Sequence, residues 1–314
     1  MNHHCEPQEV FRAAIEKIQY LEMLYGDCIP WAAINEGFYI NGEKILLASK
    51  ANGIFKPRQL AQGLLSIKTT EPRKGRSNIY RDQELDEGYF RYSLQDGDPH
   101  GREKKGRDNK HLRKALENGT PFIYFHAVAE AKYKAIWPCL IANIKQQEDN
   151  KWYCEVCTSI QTALPRDGLE LYLPSEADRR YSVQQTLVRL HQARFRESVL
   201  KAYDYRCAIS RLPIVRLLEA AHITPDSDDD GIASVSNGIA LSRIHHVAYD
   251  SNMLGISPDY KIVVSQELLA SKDGKILESI VDSHGKYLFL PKESSSQPDR
   301  DRLKARFELF MNCH

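Results

Sequence analysis

No apolar run in this 314-residue sequence approaches the ~20 residues that a membrane span needs, so a membrane protein is not expected. The sequence also lacks an excess of charge of either sign. Its formal net charge is +1, and any surface that attracts nucleic acid must therefore be local. The start, Met1-Asn2-His3-His4-Cys5-Glu6, has no basic stretch followed by an apolar one, which is not the pattern of a secretory signal. Cysteine is present but unpatterned. Cys5, Cys28, Cys139, Cys154, Cys157, Cys207 and Cys313 are odd in number and irregularly spaced. That fits a reduced, cytoplasmic setting better than a disulfide framework. The single C-x-x-C, Cys154 to Cys157, has no second C-x-x-C or H-x-H to complete a zinc site and reads as two strand cysteines. No internal repeat occurs.

What is present is the texture of a soluble globular protein, 42% apolar and 27% charged, long enough for two domains with separate cores. Phe11, Ile15, Ile18, Leu21 and Leu24 recur every three or four residues, which predicts an amphipathic helix over the first ~25 positions. From 37 to about 173, short runs rich in Tyr, Phe, Ile and Val alternate with Gly, Asn and Asp turns. Asn41-Gly42 is a tight-turn signal between two such runs. Residues 109–118 read as one short helix ended by Gly119. This part is expected to be a mostly β, curved-sheet domain with a few helices, closed by Leu173-Pro174-Ser175. A long helix is expected over 181–203, with Leu187, Leu190, Phe195, Val199, Leu200 and Tyr203 as its buried stripe, connecting the halves. A polar surface loop at 293–298 precedes a last helix over 299–311. The expected class is α+β, with one domain over 1–175 and a second over 176–314.

The second half carries a chemical constellation. An apolar strand, Leu217-Leu218-Glu219-Ala220-Ala221-His222, turns at Pro225 into an acidic loop. Val235-Ser236-Asn237-Gly238 leads into a second strand, and Ser242-Arg243-Ile244-His245-His246 opens a helix. Phosphodiester hydrolysis needs a group to take a proton from the attacking water, neutralisation of charge on the phosphoryl oxygens, and stabilisation of the leaving 3′ oxygen. A neutral histidine can serve the first need and one divalent ion held by a helix residue the other two. An asparagine that orients the histidine or pins the loop keeps the parts in register.

Tyr205-Arg206-Cys207-Ala208-Ile209-Ser210, Glu219-Ala220-Ala221-His222-Ile223-Thr224-Pro225, Asn237-Gly238-Ile239-Ala240-Leu241 and His246-Val247-Ala248-Tyr249-Asp250 together closely resemble the HNH (ββα-metal) endonuclease family, restriction-endonuclease type. The helix before them, with Arg189, Gln192, Phe195-Arg196 and Val199-Leu200, looks like the segment that leads into such domains. The resemblance spans about 181–264. It implies that His222 is the general base, Asn237 the orienting residue and His246 a metal ligand, with one Mg²⁺ or Mn²⁺ per site. Where many relatives have a second metal ligand this sequence has Ala221. Glu219 is the candidate substitute, with Asp226 and Asp228 as rivals. Cys207 and Ser210 stand where some relatives have a C-x-x-C, so no structural zinc is implied. Adjacent helix residues point about 100° apart, so His245 is left a phosphate-contact or surface role.

In the first half, residues 101–114 hold seven Lys or Arg against two acids, a local balance of +5. Arg73-Lys74-Gly75-Arg76 is a second basic cluster, and Tyr80, Tyr89, Phe90 and Tyr92 lie between them. Basic loops beside aromatics suit DNA phosphates and a stacked or flipped base. Arg73, Arg76, Lys104, Lys105, Arg107 and Tyr92 are the candidate DNA contacts. The stretches Gly53-Ile54-Phe55-Lys56-Pro57-Arg58, Phe90-Arg91-Tyr92 and Pro121-Phe122-Ile123-Tyr124-Phe125 resemble the N-terminal module of restriction endonucleases. Such modules are similar to SRA and related PUA-like domains that read modified bases; a phosphorothioate reader has the same architecture. The expectation is a modification-dependent restriction enzyme acting on double-stranded DNA. A homodimer is compatible with it, since one HNH site cuts one strand at a time. Two rivals stay open: a ligand- or partner-gated, non-specific effector nuclease, and a non-catalytic DNA-binding relative.

Overall fold

Helix α1 (Pro7–Tyr25) of the computed structural model buries Val10, Phe11, Ala14, Ile15, Ile18 and Leu21 on one side, the stripe that the spacing predicts except for Leu24, which is half-buried. Residues 6–61, 63–69, 84–85, 89–95, 100, 102, 106–147, 150–158, 175–225, 231–271 and 274–313 are the ones described. They fall into two compact units, Met1–Leu190 and His191–His314.

In the first unit, α1 is followed by β1 (Ile29–Pro30), α2 (Trp31–Glu36), β2 (Phe38–Ile40), β3 (Glu43–Ile45), β4 (Ile54–Phe55), β5 (Ser66–Lys68), β6 (Glu84–Leu85), β7 (Tyr89–Ser93), α3 (Asn109–Asn118), β8 (Phe122–Ala129), β9 (Lys132–Gln146) and β10 (Trp152–Thr158). Seven strands form a curled, half-barrel sheet in the order β4-β5-β8-β9-β10-β7-β6, and β1 pairs with β9 as an eighth. Long β9 makes the curl possible. It pairs with β8 along its first part and with β10 along the rest, with register shifts in both ladders; such shifts bend and twist a strand. β8 is buried along all but its last residue, because β5 and β9 flank it and α1 packs on it through Ile123, Phe125 and Ala127. The β2–β3 hairpin turns at Asn41-Gly42, both at positive φ, as a two-residue hairpin requires. Helix α3 ends at Gly119, which adopts the left-handed conformation. Its first residue, buried Asn109, exchanges two 3.0 Å hydrogen bonds with the Gln95 backbone.

Helix α4 (Glu176–Ala202) starts five residues before the expected position, and the two units divide within it. In the second unit it is followed by β11 (Leu218–His222), β12 (Gly238–Ser242), α5 (Arg243–Asp250), β13 (Leu254–Ile256), β14 (Ile262–Val264), α6 (Gln266–Ala270), α7 (Lys275–Val281) and α8 (Arg300–Asn312). β11 and β12 form one antiparallel hairpin, β13 and β14 another. Phe195, Val199, Leu200 and Tyr203 pack with Leu218, Ala221, Ile239, Leu241, Tyr249, Leu254, Ile256 and Leu303 in a core of its own. Two arginines fasten this core's edges. Arg196 of α4 donates to the carbonyls of Val215 and Leu218 at 3.1 and 2.9 Å. Arg306 of α8 donates to the Tyr249 carbonyl at 2.8 Å, at the C-terminal end of α5, where the helix dipole favours a cation. Asp299 caps α8 by accepting from the Asp301 and Arg302 amides. Among the described residues no helix is long and apolar enough to cross a membrane.

Candidate active site of the second unit

β11 runs Leu-Glu-Ala-Ala-His, and its register with β12 places His222 opposite Gly238 and Glu219 opposite Leu241. Side chains alternate along a strand, so Glu219 and His222 leave β11 on different sides. Glu219 meets α5, and His222 meets α4, where its ring lies on Phe195 with centroids 4.0 Å apart and planes 11° from parallel.

Asn237 precedes β12 and is fully buried. Its Oδ1 accepts from the Thr224 amide at 2.9 Å, and its Nδ2 donates to the carbonyls of Thr224 and Ile232, each at 3.0 Å. Its own carbonyl accepts from the Ile223 amide at 3.0 Å. The side chain thus clasps both ends of the loop that leaves β11 immediately beyond His222. Of the two services open to this residue, orienting the base or pinning the loop, these bonds perform the second.

Ser242 caps α5, accepting from the His245 amide. His246, one turn in, is part-exposed and lies between two carboxylates. Its Nδ1 is 2.7 Å from Glu219 Oε2 and its Nε2 is 3.2 Å from Asp250 Oδ2. Arg243 Nε donates to the other Glu219 oxygen at 2.9 Å. Burial pushes the Glu219 carboxyl upward, but hydrogen bonds from His246 and Arg243 outweigh it and hold the group below its ordinary value. Glu219 is therefore a carboxylate at neutral pH.

The sequence profile of the HNH endonuclease family matches residues 207–257, the span that holds this hairpin and helix. The second unit carries an HNH endonuclease domain. The protein is a nuclease. Among curated proteins none matches the chain. Of solved structures, a modification-dependent TagI restriction endonuclease is similar with 16% identity and a TM-score of 0.30, over 81% of this chain and 84% of that one. The type IV phosphorothioation-dependent restriction endonuclease ScoMcrA is similar with 13% identity and a TM-score of 0.23, over 76% of this chain and 51% of that one. Scores of this size leave the fold to be read from the chain itself.

HNH endonucleases use a divalent ion, and the donors fit one in kind. An imidazole beside carboxylates suits hard or borderline cations. Among the described residues no three His, Cys, Asp or Glu side chains are grouped so as to hold a metal. Glu219 and Asp250 face opposite nitrogens of His246 and do not converge on one point. An ion in the HNH domain would take His246 with one of them, the other positions being left to water and phosphate. The rival ligands Asp226 and Asp228 lie outside the described residues.

Two features of the HNH domain were not anticipated. Asp250 lies four residues after His246, a spacing that puts them on one helix face. The second feature corrects the surface role given to His245, which is buried. Its Nδ1 lies 2.7 Å from Ser242 Oγ and 3.5 Å from Cys207 Sγ. The amides of Ile209, Ser210 and Ser242 also donate to that sulfur at 3.3–3.4 Å. Burial pushes the Cys207 thiol up, but hydrogen bonds from His245, Ser210 and Ile209 outweigh it and lower it to about 6. Hydrogen bonds to one sulfur thus join the segment after α4, the end of β12 and the first turn of α5.

The DNA contacts expected in the first unit are placed unevenly. Arg73, Arg76, Lys104, Lys105 and also Tyr80 lie outside the described residues. Tyr92 is a core residue, packed edge-on against Tyr124 at 6.1 Å, and Tyr89 and Phe90 are buried with it. Arg102, Arg107, Lys110 and Lys114 are exposed. Lys56 and His111 lie near Lys110 but are half-buried. Burial and then the Lys110 charge lower the Lys56 amine. Burial, Lys110 and Lys56 lower the His111 imidazole against the pull of Asp108.

Proposed function

We propose that this nuclease is a metal-dependent DNA endonuclease of the restriction type, in which the HNH domain cuts and the first unit reads modified DNA. The observation that carries the cutting half is the hairpin and helix that present His222, Asn237 and His246 in that order, with the Glu219 carboxylate 2.7 Å from His246. In this reading His222 accepts the proton of the attacking water as general base. Asn237 holds the loop after β11, and with it the strand end that carries the base. A divalent ion, Mg²⁺ or Mn²⁺, held by His246 and Glu219 would neutralise charge on the phosphoryl oxygens and stabilise the leaving 3′ oxygen. Arg243, exposed beside Glu219, is placed to meet a phosphate. The reading half rests on the exposed cations Arg102, Arg107, Lys110 and Lys114 of the first unit. Phosphate contacts would supply affinity, and selectivity would come from a base or backbone modification recognised in the same unit.

A second reading has one observation of its own. The first unit holds a cavity of about 160 Å³ lined by Phe11, Leu60, Leu64, Leu65, Gln8 and Thr120, among others. A small, mostly apolar ligand seated there would suit a ligand-gated effector nuclease. The deciding experiment is cleavage of matched plasmids that differ only in base or backbone modification, with Mg²⁺ or Mn²⁺ and with chelator, alongside His222→Ala. Cutting of one modified plasmid only, abolished by chelator and slowed ~10²–10⁴-fold in the variant, is the expected result. Equal cutting of every plasmid would turn the reading toward the gated effector.

A further inference from the structure

We infer that Phe195 is a positioning residue for the general base, and that glycine at 238 leaves the room its ring occupies. The inference rests on the reading of His222 as the base. The two rings are stacked 4.0 Å apart and 11° from parallel, and Phe195 is buried on α4. Gly238 is the cross-strand partner of His222. A Cβ there would lie 2.4 Å from Val199 Cγ2 and 2.8 Å from Phe195 Cζ, closer than real Cβ atoms come, and 3.1 Å from Phe195 Cε2. The Gly238 backbone is extended, with φ −132° and ψ 145°, a conformation open to any residue. Space alone therefore asks for glycine at 238, and the space is taken by the Val199 methyl and by the ring that lies on His222.

The consequence is orientational. The second side-chain torsion of histidine is broad and roughly two-fold, so a histidine at a strand end with no flat neighbour can turn its nitrogens through a wide arc. A general base must put one lone pair within about 2.6–3.2 Å of the water it deprotonates. The flat face of Phe195 fixes the plane of the imidazole before substrate arrives, which leaves only the two orientations related by a flip of the ring. An aliphatic side chain of similar volume fills the core equally well but offers no plane. If Phe195 is core filler only, such a replacement leaves the rate per folded molecule alone. If it positions the base, turnover falls while DNA binding does not, and misplacement by ~1 Å costs up to about 10²-fold.

The test uses the full chain and four substitutions: Phe195→Leu, Phe195→Met, Gly238→Ala and the Phe195→Leu/Gly238→Ala pair. Turnover and KM are measured with saturating divalent ion, and DNA affinity in chelator. The ring protons of His222, assigned by comparison with His222→Gln, report the stack directly, because a ring lying over them shifts them upfield. Expected for both Phe195 variants are a fall of about 10–100-fold in kcat, unchanged KM and DNA affinity, and loss of the upfield shift. Gly238→Ala, whose methyl would meet both Val199 and the Phe195 ring, should show the same pattern, and the pair should add little to the Phe195→Leu loss, since the part that acts on the base runs through one ring. If the stack is lost but kcat stays within about two-fold of the parent while His222→Ala is inactive, the inference is overturned and the base assignment stands. Parental cleavage by His222→Ala removes the base itself, and the positioning role goes with it.

Discussion

Cys207 has no solvent exposure, yet it is lowered to about 6. An isolated buried thiol is pushed the other way, as burial does to Cys139 and Cys154. The difference lies in the donors aimed at one sulfur by the Ile209, Ser210 and Ser242 amides and by the His245 ring. The sign of the pH dependence follows. A group whose value is depressed on folding stabilises the fold fully above its unfolded value, 9.0 for this thiol, and that contribution is lost as pH falls through the folded value near 6. The stability gap between the parent and Cys207→Ser should therefore widen as pH rises from about 6 to 9. Urea unfolding across that window reads it, and a flat gap would mean that the thiolate network is not formed. The neighbouring histidines divide in the same way. His246→Ala, at the part-exposed site with Glu219, should lose activity with little loss of stability. His245→Ala should lower the urea midpoint first, because it leaves Ser242 and Cys207 without their buried partner. The opposite ranking in paired cleavage and unfolding assays would assign the metal-ligand role to the wrong histidine.

At the scale of the element, the loop between β11 and β12 depends on one buried amide. Asn237→Ala removes three side-chain hydrogen bonds and leaves the Thr224 amide, the Thr224 carbonyl and the Ile232 carbonyl without that partner. At about 0.5–1.5 kcal/mol per bond, plus desolvation of groups left unpaired, the expected cost is roughly 2–4 kcal/mol. It should appear as a lower urea midpoint at unchanged slope, with faster exchange of the Thr224 amide. A change below about 0.5 kcal/mol would mean that water replaces the clasp. Elements whose determinants are local were legible in the sequence: the α1 stripe, α3 with its Gly119 stop, the Asn41-Gly42 hairpin, and the strand–loop–strand–helix order that holds His222, Asn237 and His246. Features that depend on partners distant in sequence were not. The parallel pairing of β5 with β8, the burial of Tyr92 against Tyr124, and the stacking of Phe195 on His222 all join segments that no local pattern links. In the sequence Phe195 is one apolar position in a helical stripe, and nothing there separates a ring that fills a core from one that lies on an imidazole. Asp250 is different: its place one turn after His246 was readable from spacing alone.

Among the described residues the two large cores are one centred on α1 and the curled sheet and one on the HNH hairpins with α4, α5 and α8. Each buries its own apolar surface, so each unit has the means to evolve one task. For the first unit the proposed task is DNA reading, and charge gives the means to test it. The net charge of the chain is only +1, so general attraction to DNA is weak. Affinity must come from local cations, among which Arg107 and Lys110 are exposed. Phosphate contacts release counterions and make binding fall with salt, with a slope of about 0.9 per phosphate neutralised, and they carry no information about which base is modified. Arg107→Gln with Lys110→Gln, made in the His222→Ala background and measured in chelator to suppress cleavage, should therefore weaken binding to modified and plain duplexes by the same factor. The salt slope should fall by about 0.9 for each phosphate that is no longer neutralised, while the preference between the duplexes is kept. The measurement is a titration of the full chain against the two duplexes across a salt series. An unchanged slope would take these residues off the DNA. A changed preference would instead put them at the modification itself, because only a group that touches the modified position can alter the ratio of the two affinities.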